Sequence, residues 1–370
     1  MRIALVGPAH PYKGGGAQHT TELAHRLTAA GHDVVIESWH AQYPARLYPG
    51  QQTIEVPEGE PYPRTRRRLA WYRPDGWLAE GRRLRSADLV VFALLTPVQV
   101  PAYLAMLAAL RRSPKHPRTA VICHNVLPHE RRPGDVALTR ALLSRVDTVI
   151  VHSAEQAAQA RTLAPDVPIT AVRMPPHLPA AASASLPENS ERAPVTDPRQ
   201  CRLLFFGIVR PYKGLDVLLR ALARAPEQLT LTVAGEFWGG TADTEQLIAG
   251  LGLGDRVTLR PGYVPADQIP ALFAAADVLV MPYREATASQ NALLAFAHGV
   301  PVITTTAGAL AEHVTDGVNG LICAPGDAED LLRALVAISA PGEVSRLRSQ
   351  IAPADPGPAW AAYLEVVLAG

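Results

Sequence analysis

Short apolar runs alternate with amphipathic stretches along the first half of the chain. The loop PAHPYKGGG separates the first apolar run from a helical pattern that extends from Ala17 to Ala29 and stops at Gly31. The predicted strands are Arg2–Val6, Asp33–Ser38, Asp88–Leu94, Thr119–Cys123 and Thr148–Val151. Because continuous apolar runs separated by helical periodicity are typical of buried parallel strands, this half is predicted to be a doubly wound α/β domain.

The same alternation resumes in the second half. The predicted strands are LLFFG (203–207), LTVAG (231–235), Val257–Leu259, VLVMP (278–282) and PVITT (301–305). The predicted helices are Leu215–Ala223, Thr244–Leu251, Ala266–Ala275 and Asn291–Ala297, with a last amphipathic helix in PAWAAYLEVVLA. This pattern predicts a second Rossmann-like domain.

The composition changes sharply between the two halves. Residues 179–200 are rich in proline, serine, alanine and charge and show no periodicity, which indicates a linker or long loop. A chain of 370 residues also exceeds what one hydrophobic core usually organises. We therefore predict an α/β fold with two Rossmann-like domains facing across a cleft, at 1–178 and 201–350, followed by a terminal helix within 351–370.

Charge is nearly balanced over the whole chain. The formal net charge of +1 gives no general attraction for nucleic acid. Arginines are nevertheless concentrated in the first half, where they form either solvated faces or a surface for an anionic membrane or an acidic acceptor. These groups are Arg64 with Arg66–Arg68, Arg82 with Arg83 and Arg85, and Arg111 with Arg112 and Lys115.

Cysteine usage and hydropathy predict the compartment. The three cysteines are widely separated, without the spacing of a metal site or a disulfide framework, which favours a reducing cytoplasm. The N-terminus begins directly with a strand pattern, and no apolar run reaches the roughly 18 residues of a membrane span. We expect a cytoplasmic protein, with peripheral contact with the membrane left open.

Basic and glycine-rich loops follow the first strand of each half. In FGIVRPYKGLD, Arg210 and Lys213 lie between a strand and a helix, at the edge where such sheets bind ligands. A guanidinium and an ammonium together can neutralise a diphosphate leaving group, although a basic loop can also simply cap carbonyls. The run Gly14–Gly16 either brings backbone N–H groups close to an anion or only allows the chain to turn.

Several motifs together resemble the retaining family-4 glycosyltransferases of the GT-B fold. They are GGGAQHTTELAHRLTAAGHDV, FGIVRPYKGLD, LTVAGE, LGLGDRVTLRPGYVP, AADVLVMPY and AHGVPVITTTAGALAEHVTDGVNGLICAPGD. The resemblance covers nearly the whole chain in the right order. It implies two facing Rossmann-like domains, with the helix around Trp360 crossing back to the first of them.

The resemblance also implies roles for individual residues. Arg210 and Lys213 match residues that bind the donor diphosphate, and Gly15 and Gly16 match a loop that approaches the phosphates or the reacting sugar. His124, in VICHNVLPHE, resembles a histidine found near the transferred sugar, and it is our candidate catalytic residue.

One departure from the family pattern is specific. Many members carry two glutamates between the VMP-type strand and the AHG-type turn, and the matching positions here are Ala286 and Leu294. Glu285 is one place away and is retained only as a possible sugar contact. The helix start in ATASQNALLAFAHG instead offers hydroxyl, amide and backbone donors to the diphosphate, or serves as a cap alone. These residues are Ser289, Gln290 and Asn291.

The remaining candidates come from loops after strands. His129, Glu130 and Glu236 are possible acceptor or sugar contacts. His124 can alternatively be a structural histidine, and a Cys123–His124 nucleophile is disfavoured because Cys123 points to the opposite side of the strand. No Asp-x-Asp motif and no histidine ligand spacing occur, so no metal and no cofactor besides the nucleotide sugar are expected.

The expected function is transfer of a sugar from a nucleotide diphosphate donor to an acceptor hydroxyl with retention. The acceptor is left open between a lipid-linked saccharide, a polysaccharide and a natural product. Two alternatives are a sugar-nucleotide epimerase of the same fold and a non-catalytic sugar-nucleotide-binding subunit. The absence of the two glutamates supports the second alternative.

Overall fold

A computed structural model describes residues 1–44, 51–57, 59–112, 115–128, 130–177, 200–287, 289–352 and 355–370. The chain divides into two compact units. The first unit comprises Met1–His177 together with Asp355–Gly370, and the second comprises Leu178–Ala354. The predicted linker, apart from Gln200, lies outside the described residues.

The first unit is built on a parallel sheet of seven strands in the order β3-β2-β1-β4-β5-β6-β7. Its strands are β1 (Arg2–Val6), β2 (Asp33–Ala41), β3 (Thr65–Ala70), β4 (Leu89–Leu94), β5 (Arg118–Cys123), β6 (Thr148–Val151) and β7 (Ile169–Ala171). The central strands β4 and β5 are almost wholly buried, as their continuous apolar runs predict. The predicted parallel sheet is confirmed.

The sequence did not predict β3 and β7, which form the two edges of this sheet. β3 has the sequence TRRRLA, and its three arginines are exposed. An edge strand pairs on one side only, so charged side chains are tolerated there and remove the apolar signal. β7 is only three residues long. Arg66–Arg68 of the first arginine group therefore lie on an edge strand.

Helices cover both faces of the first sheet. They are α1 (Gly15–Ala29), α2 (Pro74–Arg83), α3 (Val100–Leu110), α4 (Asp135–Leu143) and α5 (Ala154–Leu163). One core packs Trp39, Phe92 and Tyr103, and the other packs Leu5 and Leu23. The first helix begins two residues before the predicted start at about Ala17, because Gly15 and Gly16 already form its first turn.

The second unit contains a parallel sheet of six strands in the order β10-β9-β8-β11-β12-β13. The strands are β8 (Cys201–Phe206), β9 (Leu229–Gly235), β10 (Val257–Pro261), β11 (Val278–Met281), β12 (Val302–Thr305) and β13 (Gly320–Cys323). The helices are α6 (Leu215–Leu222), α7 (Ala242–Gly250), α8 (Ile269–Ala274), α9 (Asn291–Ala297), α10 (Ala328–Ile338) and α11 (Glu343–Ser349). The predicted second Rossmann-like unit is confirmed.

Two details of the second unit differ from the prediction. The edge strand β13 was not predicted. The predicted helix Ala266–Ala275 is instead a 3₁₀ turn over Ala266–Gln268 followed by α8. Pro270 stands in the first turn of α8, where its missing N–H needs no helical partner, so the α-helix begins there and not earlier.

The last helix, α12 (Gly357–Ala369), belongs to the first unit. Trp360, Tyr363 and Val367 are buried on the face of the sheet that α1 also covers. The Trp360 indole N–H donates to the Pro176 carbonyl at 2.8 Å, and the Arg118 guanidinium donates to the last carbonyls of the helix. The positive charge of Arg118 interacts favourably with the negative end of the helix dipole. The expected return of this helix to the first domain is confirmed.

A buried carboxyl pair lies beside the edge strand β3. The side chains of Glu37 and Glu80 are 2% and 0% exposed. Arg66 donates to one oxygen of Glu37 at 3.0 Å, and Arg83 donates to one oxygen of Glu80 at 2.9 Å. The second oxygen of each carboxyl group is buried and has no hydrogen-bond partner among the described residues. Burial, and then the charge of Glu80, raise the pKa of Glu37 from its ordinary value to about 7.

Replacement of Glu37 by glutamine is expected to stabilise the protein at pH 8 more than at pH 5. A carboxyl group whose pKa is raised by folding favours the folded state when protonated, and this stability is lost as pH rises from about 4.5 to about 7. Glutamine keeps an acceptor for Arg66 and removes the charge, so the gain at pH 8 is on the order of 1–3 kcal/mol. Thermal unfolding at the two pH values measures it, with the exposed Glu55→Gln as control. An equal gain at both pH values would contradict the expectation.

Candidate functional site

The basic loop of the second unit lies at the carboxyl end of its central strands. β8 and β11 are neighbours at the point where the strand order reverses, which is where sheets of this order bind ligands. The loops that follow these strands contact each other there. The Arg284 N–H donates to the Tyr212 carbonyl at 2.7 Å, and the Arg284 guanidinium donates to both carboxylate oxygens of Asp216 at 2.7 and 2.6 Å.

Lys213 ends a short 3₁₀ turn in the loop after β8. Its Nζ lies 4.8 Å from the centre of the Tyr283 ring, a cation–π contact. Burial alone lowers the pKa of this ammonium, but Tyr283 and Tyr212 more than offset that effect, and the pKa is raised. Lys213 is therefore a fixed positive charge at the end of β8.

Arg210 is held by an aromatic side chain from the neighbouring loop. Its guanidinium carbon lies 4.4 Å from the centre of the Trp238 ring. The loop of Trp238 follows β9, and it is tied to the Arg210 loop because the Val209 N–H donates to the Glu236 carbonyl at 2.8 Å. Stacking on an indole fixes the plane of a guanidinium and so orients its charge. The sequence had indicated the basic loop and, in the loop after β9, Glu236. It had not indicated Trp238.

The start of α9 lies close to the same loop. The Asn291 side-chain amide donates to the Phe206 carbonyl at 3.0 Å, and the Ser289 hydroxyl accepts from the Asn291 N–H at 3.3 Å. Gln290 occupies the cap position of the helix. The structure therefore assigns Asn291 a structural hydrogen bond at the end of β8 that the sequence did not predict.

The two positions of the missing glutamates have different surroundings. Leu294 is buried in an apolar cluster with Phe273 and Met281, while Ala286 is partly buried beside the same cluster. The Glu285 N–H faces the Tyr212 carbonyl at 3.4 Å, so Glu285 lies in the loop that meets the basic loop.

Four histidines meet inside the first unit, near the carboxyl ends of its strands. His124 follows β5, His152 follows β6, His177 lies beyond β7, and His19 lies on α1. The ring of His19 is central: its centre lies 5.0 Å from that of His124, 5.4 Å from that of His177 and 6.0 Å from that of His152. Tyr363 of α12 packs against His19 and His152. We call these four residues the histidine cluster.

The histidine cluster is neutral at physiological pH. Burial, followed by the charges of the neighbouring imidazoles, lowers the pKa of His19 and His124 well below the ordinary value. Burial likewise lowers the pKa of His152 and of His177 to about 4. The Nε2 atoms of His19, His124 and His152 are buried, with no hydrogen-bond partner in the described part of the chain. A neutral imidazole can both donate and accept a hydrogen bond.

The glycines of the first unit have a packing role. A Cβ placed on Gly16 would lie 2.3 Å from Leu95 Cδ2, so a larger residue there would require the Leu95 side chain to move. A Cβ on Gly15 would lie 3.5 Å from His177 Nε2, an ordinary contact. Gly15 therefore borders the histidine cluster.

The remaining sequence candidates are dispersed. Glu130 is exposed, and His129 lies outside the described residues. Cys123 is buried, and burial raises the pKa of its thiol, which is the opposite of what an activated nucleophile needs. Sequence reasoning missed His19, His152 and His177, although two of the four histidines come directly after predicted strands.

The described residues contain neither a candidate metal site nor a candidate membrane span. No group of three or more histidine, cysteine, aspartate or glutamate side chains in the described ranges is arranged to hold a metal ion. Within the same ranges, no helix has the length and apolar character needed to cross a bilayer.

Two family models match the chain, one in each unit. The model described as Glycosyltransferase Family 4 matches residues 13–173, and the model described as Glycosyl transferases group 1 matches residues 200–340. The first match contains three members of the histidine cluster, and the second contains the basic loop. Only the linker region and the two ends of the chain lie outside the two models.

Curated relatives match a smaller part. A D-inositol 3-phosphate glycosyltransferase of Mycobacterium sp. (strain KMS) is 30% identical over 158 residues, which are 42% of this chain and 36% of the relative. The matched stretch thus spans little more than a third of that relative's length.

Solved structures match the whole fold at low sequence identity. Sucrose-phosphate synthase from Thermosynechococcus elongatus has a TM-score of 0.73 at 19% identity, with both chains covered completely. The Anabaena protein HepE, in complex with UDP and glucose, has a TM-score of 0.71 at 16% identity, again with complete coverage of both chains. The arrangement of strands and helices in each unit, the two consecutive family models and these neighbours agree, and the chain belongs to the family-4 glycosyltransferases of the GT-B fold.

Proposed function

We propose that this protein transfers a sugar from a nucleoside diphosphate donor to an acceptor hydroxyl with retention and without a bound metal. The observation that carries the proposal is the pair of fixed cations at the carboxyl edge of the second sheet, Lys213 beside Tyr283 and Arg210 stacked on Trp238. These charges would offset the negative charge that develops on the departing diphosphate, which is the main electrostatic demand of the reaction.

The proposed step needs no reactant besides the donor and the acceptor. The bond between the anomeric carbon and the phosphate oxygen breaks, and a bond from the acceptor oxygen forms on the same face of the sugar. The acceptor hydroxyl proton passes to the departing phosphate oxygen. We assign a hydrogen bond with the transferred sugar to His124, whose neutral ring can donate and accept. Ser289 and Gln290, Gly15 and Gly16, and Glu130, Glu236 and Glu285 remain secondary candidates for donor or acceptor contacts.

A transfer assay tests the proposal. UDP-glucose begins the donor panel because the neighbour HepE was solved with UDP and glucose, and an inositol phosphate begins the acceptor panel because the curated relatives carry that name. With a chelator present, we expect a glycoside whose anomeric configuration, measured by NMR, is that of the donor. An inverted product would overturn retention, and activity that depends on added Mg²⁺ would overturn metal independence.

A second candidate function is that of a sugar-nucleotide-binding subunit that does not itself catalyse transfer. The observation that favours it is the absence of a carboxylate at Ala286 and at the buried Leu294. Calorimetric binding of the donor panel, without transfer or hydrolysis in any combination with the acceptor panel, would support this alternative over the transferase.

A further inference from the structure

The pairing of β5 with β6 ends just before two members of the histidine cluster. Their ladder pairs Ala120 with Thr148 and ends with Ile122 opposite Ile150. His124 and His152 follow two residues later on their respective strands, at equivalent positions. Beyond the last ladder pair, the His124 carbonyl and the His152 N–H therefore need partners other than each other's strand.

The side-chain amide of Gln156 supplies those partners. Its Nε2 donates to the His124 carbonyl at 3.0 Å, and its Oε1 accepts from the His152 N–H at 2.8 Å. One amide thus donates to one strand and accepts from the other, as a peptide group of an intervening strand would. The two strands can diverge while both backbone groups remain satisfied.

Gln156 is itself held rigidly. It lies in the first turn of α5, where its own N–H donates to the hydroxyl of the cap residue Ser153 at 3.2 Å. The residue is 4% exposed. Loss of the amide would remove the side-chain partner of the part-buried His124 carbonyl and of the buried His152 N–H, which favours movement of the chain at one of these two residues.

The backbone position at His124 decides where its imidazole lies. The ring packs edge-on against His19 and at 5.6 Å from His152, while its Nε2 has no hydrogen bond among the described residues. We propose that Gln156 is a positioning residue for sugar transfer. It holds the His124 carbonyl so that the imidazole stays in place to hydrogen-bond with the transferred sugar. This inference rests on the proposed function of His124.

Two substitutions on α5 provide a matched test in the full chain. Gln156→Met keeps the size of the side chain and removes the amide, while Gln159→Met does the same one turn away, where the amide donates to the exposed Glu155 carboxylate at 3.3 Å. With UDP-glucose as donor, Gln156→Met is expected to lower kcat by about 10–100-fold, because displacements near 1 Å at a reaction centre have effects of that size. The KM for UDP-glucose should stay within about twofold, since the basic loop is untouched. Gln159→Met should resemble the wild type.

A third variant separates positioning from folding. In Gln156→Glu, the protonated carboxyl group has one donor and one acceptor, like the amide, whereas the carboxylate has no donor. Its kcat relative to wild type should therefore rise as pH falls, and Gln156→Met should show no such rise. Wild-type kcat in Gln156→Met, with only a lowered melting temperature, would overturn the proposal. A loss of activity in Gln156→Glu that does not change with pH would also overturn it.

A spectroscopic readout distinguishes failure of this inference from failure of the proposed function. The ¹H–¹⁵N imidazole signals of His124, assigned by their loss in His124→Gln, should move in Gln156→Met and stay in place in Gln159→Met. If the signals stay in place in both variants, Gln156 does not position His124. If wild-type protein transfers no sugar, or if His124→Gln turns over at the wild-type rate, the proposed function of His124 fails while the signals still test Gln156.

Discussion

Replacement of Lys213 by alanine is expected to lower kcat for sugar transfer by about 10²–10³-fold, the usual effect of removing one preorganised group that stabilises developing negative charge. The ammonium lies over the Tyr283 ring at the end of β8, and its raised pKa keeps it charged across the working pH range. The departing diphosphate gains charge as the glycosidic bond breaks. The loss should therefore appear mainly in kcat, measured as product formed under saturating donor.

Two further variants show whether charge is the cause. Lys213→Met retains the apolar stem over Tyr283 and removes only the ammonium, so it should lose nearly as much activity as the alanine variant. Arg220→Ala removes an exposed cation from α6 and should leave kcat within about twofold of wild type. Near wild-type turnover in Lys213→Met would mean that the diphosphate binds elsewhere.

Replacement of Gly214 by alanine is expected to disrupt the same loop through the backbone. Gly214 has φ of +68°, and a Cβ there would lie 2.0 Å from the Pro282 carbonyl oxygen in the loop after β11. No side-chain rotation can relieve this overlap, because the Cβ is bonded directly to the Gly214 backbone and the oxygen belongs to the Pro282 backbone. The two loops must separate, and we expect a loss of stability above about 4 kcal/mol, the range that marks severe core defects.

Gly252 provides a matched control for that substitution. It has the same φ of +68°, but a Cβ there would meet nothing within 4 Å. Gly252→Ala should thus show only the cost of a left-handed backbone, about 1–2 kcal/mol. Thermal unfolding measures both variants, and calorimetry with UDP measures binding, which Gly214→Ala should abolish and Gly252→Ala should preserve. Equal melting temperatures in the two variants would refute the overlap argument.

The sequence predicted the buried parts of both sheets well and their edges poorly. Central strands such as β4 and β5 are continuous apolar runs because helices cover both of their faces. The edge strand β3 carries three exposed arginines and therefore resembles a surface loop in sequence. The family resemblance, and not periodicity, indicated that α12 returns to the first unit.

The sequence predicted those site residues that lie close together along the chain. It did not predict those that only tertiary contacts bring together. Arg210 and Lys213 lie in one loop after one strand, so sequence order alone places them together. Trp238 lies in the loop after β9, the strand next to β8 in the sheet, and only the fold brings its indole against Arg210. The histidine cluster likewise collects side chains from α1, β5, β6 and the segment after β7, which no local pattern relates.

The return of α12 to the first unit has a consequence for protein synthesis. The ribosome completes residues up to His177 long before it makes Trp360, Tyr363 and Val367, which cover one face of the first sheet. At about 5–20 residues per second, the intervening chain takes roughly 10–35 seconds to translate. During that interval the nascent first unit must expose the apolar face that α12 later buries. The second unit can finish folding first, although its sequence comes later.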